Sequence, residues 1–306
     1  MRWSLWLVSA VAATFAAQDQ PLRDSRVFHA SIDLVSVTVT VLDHDGRLVT
    51  GLPRDAFDVY EDGEAQSVTQ FTRERVPVSL GILIDTSDSM FGRRIQDARE
   101  AVERFVVDLL DPADEFAIVA FNHQPRLITR WTSDRASVSP ALQRLRPSGA
   151  TAVYDAIVSA LPLVDVRHRQ RAALLVLSDG ADTASDKTLR NVRFALLRSD
   201  AFVYAVAIDS SDRHPINAAV NTTTLREITD QSGGRTETIH DSGELLDALS
   251  RISEELNSQY LLGYTSPKRA DGLYHSIRVR IRGTDYRVRA RNGYVVARQS
   301  PPPPVR

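Results

Sequence analysis

Asp85, Ser87 and Ser89 alternate directly after the apolar run 78–84. A buried strand over that run would deliver one carboxylate and two hydroxyls to its carboxyl end. Two later segments add oxygen donors: Ser148-Gly149-Ala150-Thr151 and, after the apolar run 172–177, Ser178-Asp179-Gly180. Alternate residues of a loop leaving a strand turn toward one point. Asp85, Ser87 and Ser89 are therefore expected to converge, with Thr151 and Asp179 joining from neighbouring loops. Such donors suit a hard divalent cation, Mg2+ first and Mn2+ or Ca2+ as substitutes, and the chain has no cysteine to favour a softer metal. Two carboxylates balance a divalent charge, and a coordination position left open would accept a partner's Asp or Glu.

The competing reading is that Asp85 and Ser87 only cap the helix that follows, since both types are good caps. Capping accounts for one segment and leaves Thr151 and Asp179 unexplained. Catalysis would need a base or a nucleophile. Haloacid dehalogenase-like phosphatases place an acid two positions after their strand-ending Asp, where this chain has Ser87. There is no Gly-rich phosphate loop with a Lys and no Gly-x-Ser-x-Gly elbow, so no catalytic residue is assigned. The histidines at 29, 44, 123, 168, 214, 240 and 275 show no metal-ligand spacing. Asp43-x-Asp45-Gly46 lacks the downstream Glu of a calcium loop and is read as a hairpin turn.

The elements that would position the site follow from periodicity. Helical spacing of Ile95, Ala98, Val102, Phe105, Val106 and Leu109 predicts a helix that Asp111-Pro112 ends. Strands are predicted at 116–121, 127–131, 172–177 and 202–208, and helices near 152–164, 187–197, 222–231 and 243–257. Strands alternating with helices imply an α/β domain, a doubly wound and mostly parallel sheet with ligands at the strands' carboxyl ends. Period-two patterns at 35–41, 57–60 and 66–71, and again at 260–264, 277–282 and 286–291, predict β segments before and after it. Each alone leaves an apolar face uncovered, so they are expected to pair into a small β-sandwich from which the α/β domain is inserted.

Asp85-x-Ser87-x-Ser89 with Thr151 and Asp179 resembles the metal-ion-dependent adhesion site of von Willebrand factor type A domains. The resemblance covers about residues 76–257. It implies that Ser87, Ser89 and Thr151 hold Mg2+ directly, that Asp85 and Asp179 act through water, and that the site captures an acidic residue of a protein partner. Ala150 stands where a Gly is commoner in that family, a change that ordinary backbone angles would tolerate. The strands at 34–41 and 260–264 resemble those of an acidobacterial subgroup of exported type A proteins.

The expected organisation is a signal peptide at 1–16, a β segment at 29–75, the α/β domain at 76–257, a second β segment at 258–297 and a Pro-rich tail at 298–306. The apolar run 3–15 is shorter than the roughly 20 residues of a membrane span, and cleavage after Ala16 fits the small-x-small pattern. An uncleaved anchor is the alternative. The chain of 306 residues has a net charge of −2 and a pI near 6.4, which gives no global reason to expect nucleic acid. Export to the periplasm or beyond is expected. In the last β segment Arg278, Arg280 and Arg282 alternate with apolar residues, as do Arg287, Arg289 and Arg291. A hairpin turning at Thr284-Asp285 would gather all six on one side, facing either solvent and local acids or an anionic envelope polymer. The alternative function is thus a structural or assembly component of the envelope that works through the sandwich and this basic face.

Overall fold

The computed structural model describes residues 34–178, 182–208, 222–268 and 271–296; the expected signal segment and tail lie outside them. Strand β1 (Leu34–Leu42) turns Val35, Val37, Val39 and Val41 into an apolar core. β2 (Phe57–Glu61) and β3 (Glu64–Gln66) form a hairpin closed by Asp62 and Gly63, whose φ angles of 50° and 84° are those of a two-residue turn with both residues left-handed. The stretch 66–71, expected as one strand, is split at Ser67. β3 stays with β2, while β4 (Val68–Thr72) crosses to the opposite sheet, making a corner of the sandwich.

The α/β core runs β5 (Val78–Asp85), α1 (Arg93–Arg104), β6 (Glu115–Phe121), β7 (Pro125–Thr132), α2 (Val138–Gln143), α3 (Val153–Asp165), β8 (Arg171–Ser178), α4 (Leu189–Leu197), β9 (Phe202–Ile208), α5 (Thr222–Ser232), β10 (Thr236–Ile239) and α6 (Leu245–Asn257). The sheet order is β10-β9-β8-β5-β6-β7, parallel throughout except where β7 folds back on β6. This is the doubly wound, mostly parallel architecture that the alternating pattern predicts. Every residue of β5 and β8 is buried, as strands covered on both faces must be. Val78, Leu80, Ile82 and Ile84 face the cluster that includes α1 and α6, whereas Leu83 faces the one that includes α3, α4 and α5. Gly81 leaves room for Leu174, whose methyl would lie 2.7 Å from a Cβ there. The helix predicted to run to Leu109 does so, but its last turn is a π-turn over residues 105–109, with Leu110 N–H donating to Phe105 O at 2.8 Å. Arg135 closes that end by donating to Val106 O, Leu110 O and Asp111 O at 2.7, 2.8 and 2.7 Å.

After the core come β11 (Tyr260–Thr265), β12 (Tyr274–Ile281), β13 (Arg287–Arg289) and β14 (Gly293–Val295). They complete two four-stranded sheets, β13-β1-β11-β4 and β14-β12-β2-β3, around one apolar cluster. The hairpin expected between 277–282 and 286–291 does not form: β12 pairs with β2, and β13 crosses to pair with β1. The six arginines therefore do not share one face. Arg278, Arg280, Arg282 and Arg287 are exposed, while Arg289 turns inward to Glu255, and Arg291 is partly buried with its guanidinium 5.2 Å over Tyr294. The physical reason is that each strand serves the apolar face left open on β1 or β2 in preference to its neighbour in sequence.

Sandwich and core join through buried polar groups. Glu255 of α6 is 1% exposed and accepts from Thr40 of β1 at 3.2 Å, Tyr204 of β9 at 2.8 Å and Arg289 of β13 at 2.5 Å, with Arg235 3.1 Å away. Burial beside this carboxylate drives the Tyr204 phenol up, so it stays a donor. Arg171 donates to Val76 O and Leu256 O and also to Gln259; burial lowers its pKa to about 10, still cationic at neutral pH. Glu255→Ala should cost about 3–5 kcal/mol, because it removes the anion that Arg289 and Arg235 face and the acceptor of the Tyr204 phenol and Thr40 hydroxyl. Urea unfolding of the variant against the parent checks this.

His275 of β12 sits 2.8 Å from Asp62 and 3.4 Å from Asp271. Burial disfavours its cation, but bonding to the two carboxylates outweighs burial and holds it above the ordinary 6.5. The His275 hydrogen bond likewise holds Asp62 below 3.8. The histidine's contribution is complete below 6.5 and is lost as pH rises through its raised folded value; that of Asp62 is present above 3.8 and is lost in acid. The stability difference between the parent and His275→Gln should thus be largest between these two values and shrink at higher pH, as urea titrations across that range would show.

Candidate functional site

The site is built where β5 and β8 end side by side. Ile84 pairs with Leu177, so Asp85 and Ser178 are the next residues in register and project to the same face of the sheet. Asp85 is fully buried, and its Oδ2 accepts from the Ser178 hydroxyl at 2.6 Å. Its Oδ1 accepts the Ser87 N–H at 2.8 Å, which bends the chain off the strand. Thr86 N–H and hydroxyl both donate to Phe121 O, at 2.6 and 3.0 Å, and fasten the bend to the end of β6. Ser87 is 1% exposed, and its hydroxyl lies 2.9 Å from that of Ser89.

Neither Asp85 nor Ser87 caps the following helix. α1 starts at Arg93 behind Gly92, with no side-chain cap, and Ser87 makes no cap bond to the short turn of residues 88–90. The capping alternative is therefore overturned.

Thr151 is brought alongside by its backbone. Ser148 N–H donates to Thr86 O and Asp88 N–H to Gly149 O, both at 2.8 Å, while Asn122 holds Ser148 O at 2.9 Å and Ala152 N–H reaches Asn122 O at 2.7 Å. Gly149 has φ +76°, and a Cβ there would meet His123 Nδ1 at 3.0 Å. Ala150 is not among the residues of positive φ, so an ordinary side chain is accommodated there, as expected. Thr151 itself is 5% exposed. Asp179 lies outside the described residues, so the structure speaks to four of the five expected ligands. Among the described residues no three His, Cys, Asp or Glu side chains cluster as metal ligands.

Sequence reasoning missed several supporting groups. Ser178 was visible as a strand-ending serine, but only strand register reveals that it faces Asp85. The segment after β8 is stapled to the start of α3: Asp182 accepts Tyr154 N–H at 2.9 Å, Ser185 Oγ accepts Asp155 N–H at 3.1 Å, and Thr151 O receives Thr183 and Ala184 N–H at 2.8 and 3.0 Å. Asp155 answers by accepting Lys187 N–H at 2.8 Å and Asp186 N–H at 3.0 Å. These contacts satisfy the open N–H groups of α3 from a distant loop and hold the Thr151 segment from both sides.

The donor set suits Mg2+. Adjacent oxygens of an octahedron with bonds of about 2.0–2.1 Å are about 2.9 Å apart, which is the separation of the Ser87 and Ser89 hydroxyls. Asp85 accepts through both carboxylate oxygens, which fixes its orientation at the floor of the site.

Gly149→Ala should lower stability by about 1–2 kcal/mol, the cost of a left-handed residue with a Cβ. The variant's thermal unfolding checks this, and Ala150→Gly serves as the control that should change little.

Residues 80–181 match the family profile described as von Willebrand factor type A domain. Human inter-alpha-trypsin inhibitor heavy chain H4 is 27% identical over 136 residues, covering 39% of this chain and 14% of that protein. The chain thus matches only a small part of the first curated relatives. Among solved structures, a von Willebrand factor type A protein from Catenulispora acidiphila superposes with a TM-score of 0.52 at 14% identity, over 87% of this chain and 74% of that one. The vWF domain of the type V pili tip protein Mfa5 from Porphyromonas gingivalis gives 0.50 at 15% identity, over 60% and 96%. These likenesses establish the fold.

Proposed function

We propose that this chain, which carries a von Willebrand factor type A domain matched over residues 80–181, is an exported, non-catalytic binding protein. It captures an acidic residue of a protein partner through a divalent cation, Mg2+ first and Mn2+ or Ca2+ as substitutes. Ser87, Ser89 and Thr151 would hold the ion, with Asp85 and Asp179 acting through water. The bound ion would supply an electrophilic position for a carboxylate. The chain's own part is to hold neutral hydroxyls at fixed separation over a buried carboxylate. The observation that carries this reading is the Asp85–Ser87–Ser89 turn, which is bonded to Ser178 and Phe121 and caps no helix.

Phe91 supports a protein partner. It follows the Ser89 turn directly and is 78% exposed, an apolar ring available to a protein surface docking beside the ion. Export is supported by the resemblance of the flanking strands to exported relatives and by the apolar run 3–15. Among the described residues no helix is long and apolar enough to cross a membrane. The alternative is an envelope assembly component working through the sandwich, with the ion only steadying the loops.

Manganese uptake by the full chain, followed by electron paramagnetic resonance with Mg2+ as competitor, tests the ion. One site is expected. Ser89→Ala, at a partly exposed position, should weaken uptake by about tenfold or more, at the small cost in thermal unfolding of the ion-free chain that losing the bond to Ser87 brings. Asp85→Ala should do the same at some cost in stability. No divalent uptake by the folded parent overturns the reading. If chelator lowers the melting temperature but leaves association with envelope extract intact, the assembly role stands instead.

A further inference from the structure

Over half its length, strand β12 has an edge beside which no strand lies among the described residues. Arg282 N–H donates to Ala56 O and Asp62 N–H to Ser276 O, so the even-numbered residues of β12 exchange their backbone bonds with β2. The odd-numbered residues point their N–H and C=O groups the other way. On that side His275 pairs with Tyr294 of β14, and Ile277 N–H donates to Asn292 O at 2.9 Å. β14 pairs with β12 only through Ser276, and β13 belongs to the opposite sheet. Among the described residues no strand lies beside Val279 and Ile281 on this edge.

In the place of a neighbouring strand there is a groove of about 600 Å³, lined by Arg278, Val279 and Arg280 on one side and by Val288, Ala290 and Arg291 on the other. A second hollow of about 410 Å³ continues it past Ile281 to Tyr286. Together they follow the free edge from 278 to 281, about 13 Å of strand. Arg278, Arg280 and Arg287 are exposed and have no ion-pair partner among the described residues, because Asp58, opposite Arg280, bonds to Arg282 at 2.5 Å. Arg291 brings a further cation to the wall, with a buried Nε–H that has no hydrogen-bond acceptor.

We propose that the open edge of β12 takes an extended acidic segment of a partner protein as an added strand, its backbone bonding to Val279 and Ile281 and its alternate Asp or Glu side chains lying beside Arg278 and Arg280. Two features select this occupant. Unpaired amides and carbonyls at strand spacing are matched by another polypeptide and not by a polysaccharide, whereas the arginines alone would accept any polyanion. A second copy of the chain pairing edge to edge would bring Arg278 and Arg280 against their own counterparts, which like-charge repulsion opposes. The added strand's other face would cover Val288 and Ala290. This site owes nothing to the metal loops, so binding here should persist in chelator.

The test uses a fluorescent peptide of alternating Glu and Val, titrated into the full chain with chelator present and followed by anisotropy. Saturable, salt-sensitive binding is expected. Arg278→Gln combined with Arg280→Gln, both at exposed positions and setting no carboxylate opposite Asp58, should weaken it roughly tenfold with little effect on unfolding. Methylating alternate peptide amides should abolish binding in one of the two registers and spare it in the other. Equal binding of both methylated peptides overturns the proposal, as does equal competition by an anionic polysaccharide with the same arginine dependence, which would mark a merely basic surface. Self-association of the chain through this edge that the peptide fails to displace overturns it as well.

Discussion

The Glu255 carboxylate is the point at which the two halves of the fold close on each other. A single buried anion accepts from β1, β9 and β13, elements distant from one another in sequence, while the helix that carries it packs on the central sheet. An unpaired carboxylate in such surroundings would be strongly unfavourable, so the sandwich cannot drift relative to the core without stranding it. Pairing of Leu34 with Thr265 and Val39 with Tyr260 then brings the two flanking β segments into one sheet. Another buried carboxylate, Glu61, repeats the device inside the sandwich, where it accepts from Tyr264, Ser266 and Tyr294.

The candidate site depends on that frame indirectly. Its floor is the paired ends of β5 and β8, two strands without an exposed residue, so the Asp85–Ser178 bond joins rigid neighbours. Above the floor nearly every tether is a backbone bond: Thr86 to Phe121, Ser148 to Thr86, Asp88 to Gly149, Thr183 to Thr151. Ser87, Ser89 and Thr151 are thereby positioned largely by main chain, with the Ser87 and Ser89 hydroxyls 2.9 Å apart. Such division of labour suits neutral ligands, which have little electrostatic pull with which to order themselves.

The sequence makes the core strands and helices readable because buried parallel strands are continuous apolar runs and covering helices are strongly periodic. Asp85, Ser87 and Ser89 are readable for the same reason, since the run before them fixes where the strand ends. Register is not readable. It decides that Ser178 faces Asp85 and that Arg289 meets Glu255, and it depends on pairings between distant segments. The arginine hairpin fails on this ground: alternation identifies β12 and β13 as strands but not their partners, and the neighbour in sequence is not the neighbour in space. β10 and β14, four and three residues long, are too short for any period to emerge. The stapling of α3 by Asp182 and Ser185 joins two loops through side chains that look like ordinary loop residues in sequence.

The proposed metal site and the groove on the sandwich arise from one topological event, the divergence of neighbouring connections. The chain leaving β5 enters α1 on one face of the sheet, and the chain leaving β8 enters α4 on the other, so their carboxyl ends meet between the two connections, where Asp85, Ser87 and Ser178 are buried. In the sandwich, β13 crosses to the opposite sheet and β14 returns too far along β12 to cover its later half, so the backbone edge at Val279 and Ile281 has no neighbouring strand among the described residues. The two places differ in what divergence exposes. Strand ends present side chains, which select by ligand type and charge. A strand edge presents main chain, which selects a polypeptide of any sequence and leaves discrimination to the arginines alongside. If both proposals hold, the two surfaces select different kinds of feature and neither constrains the other.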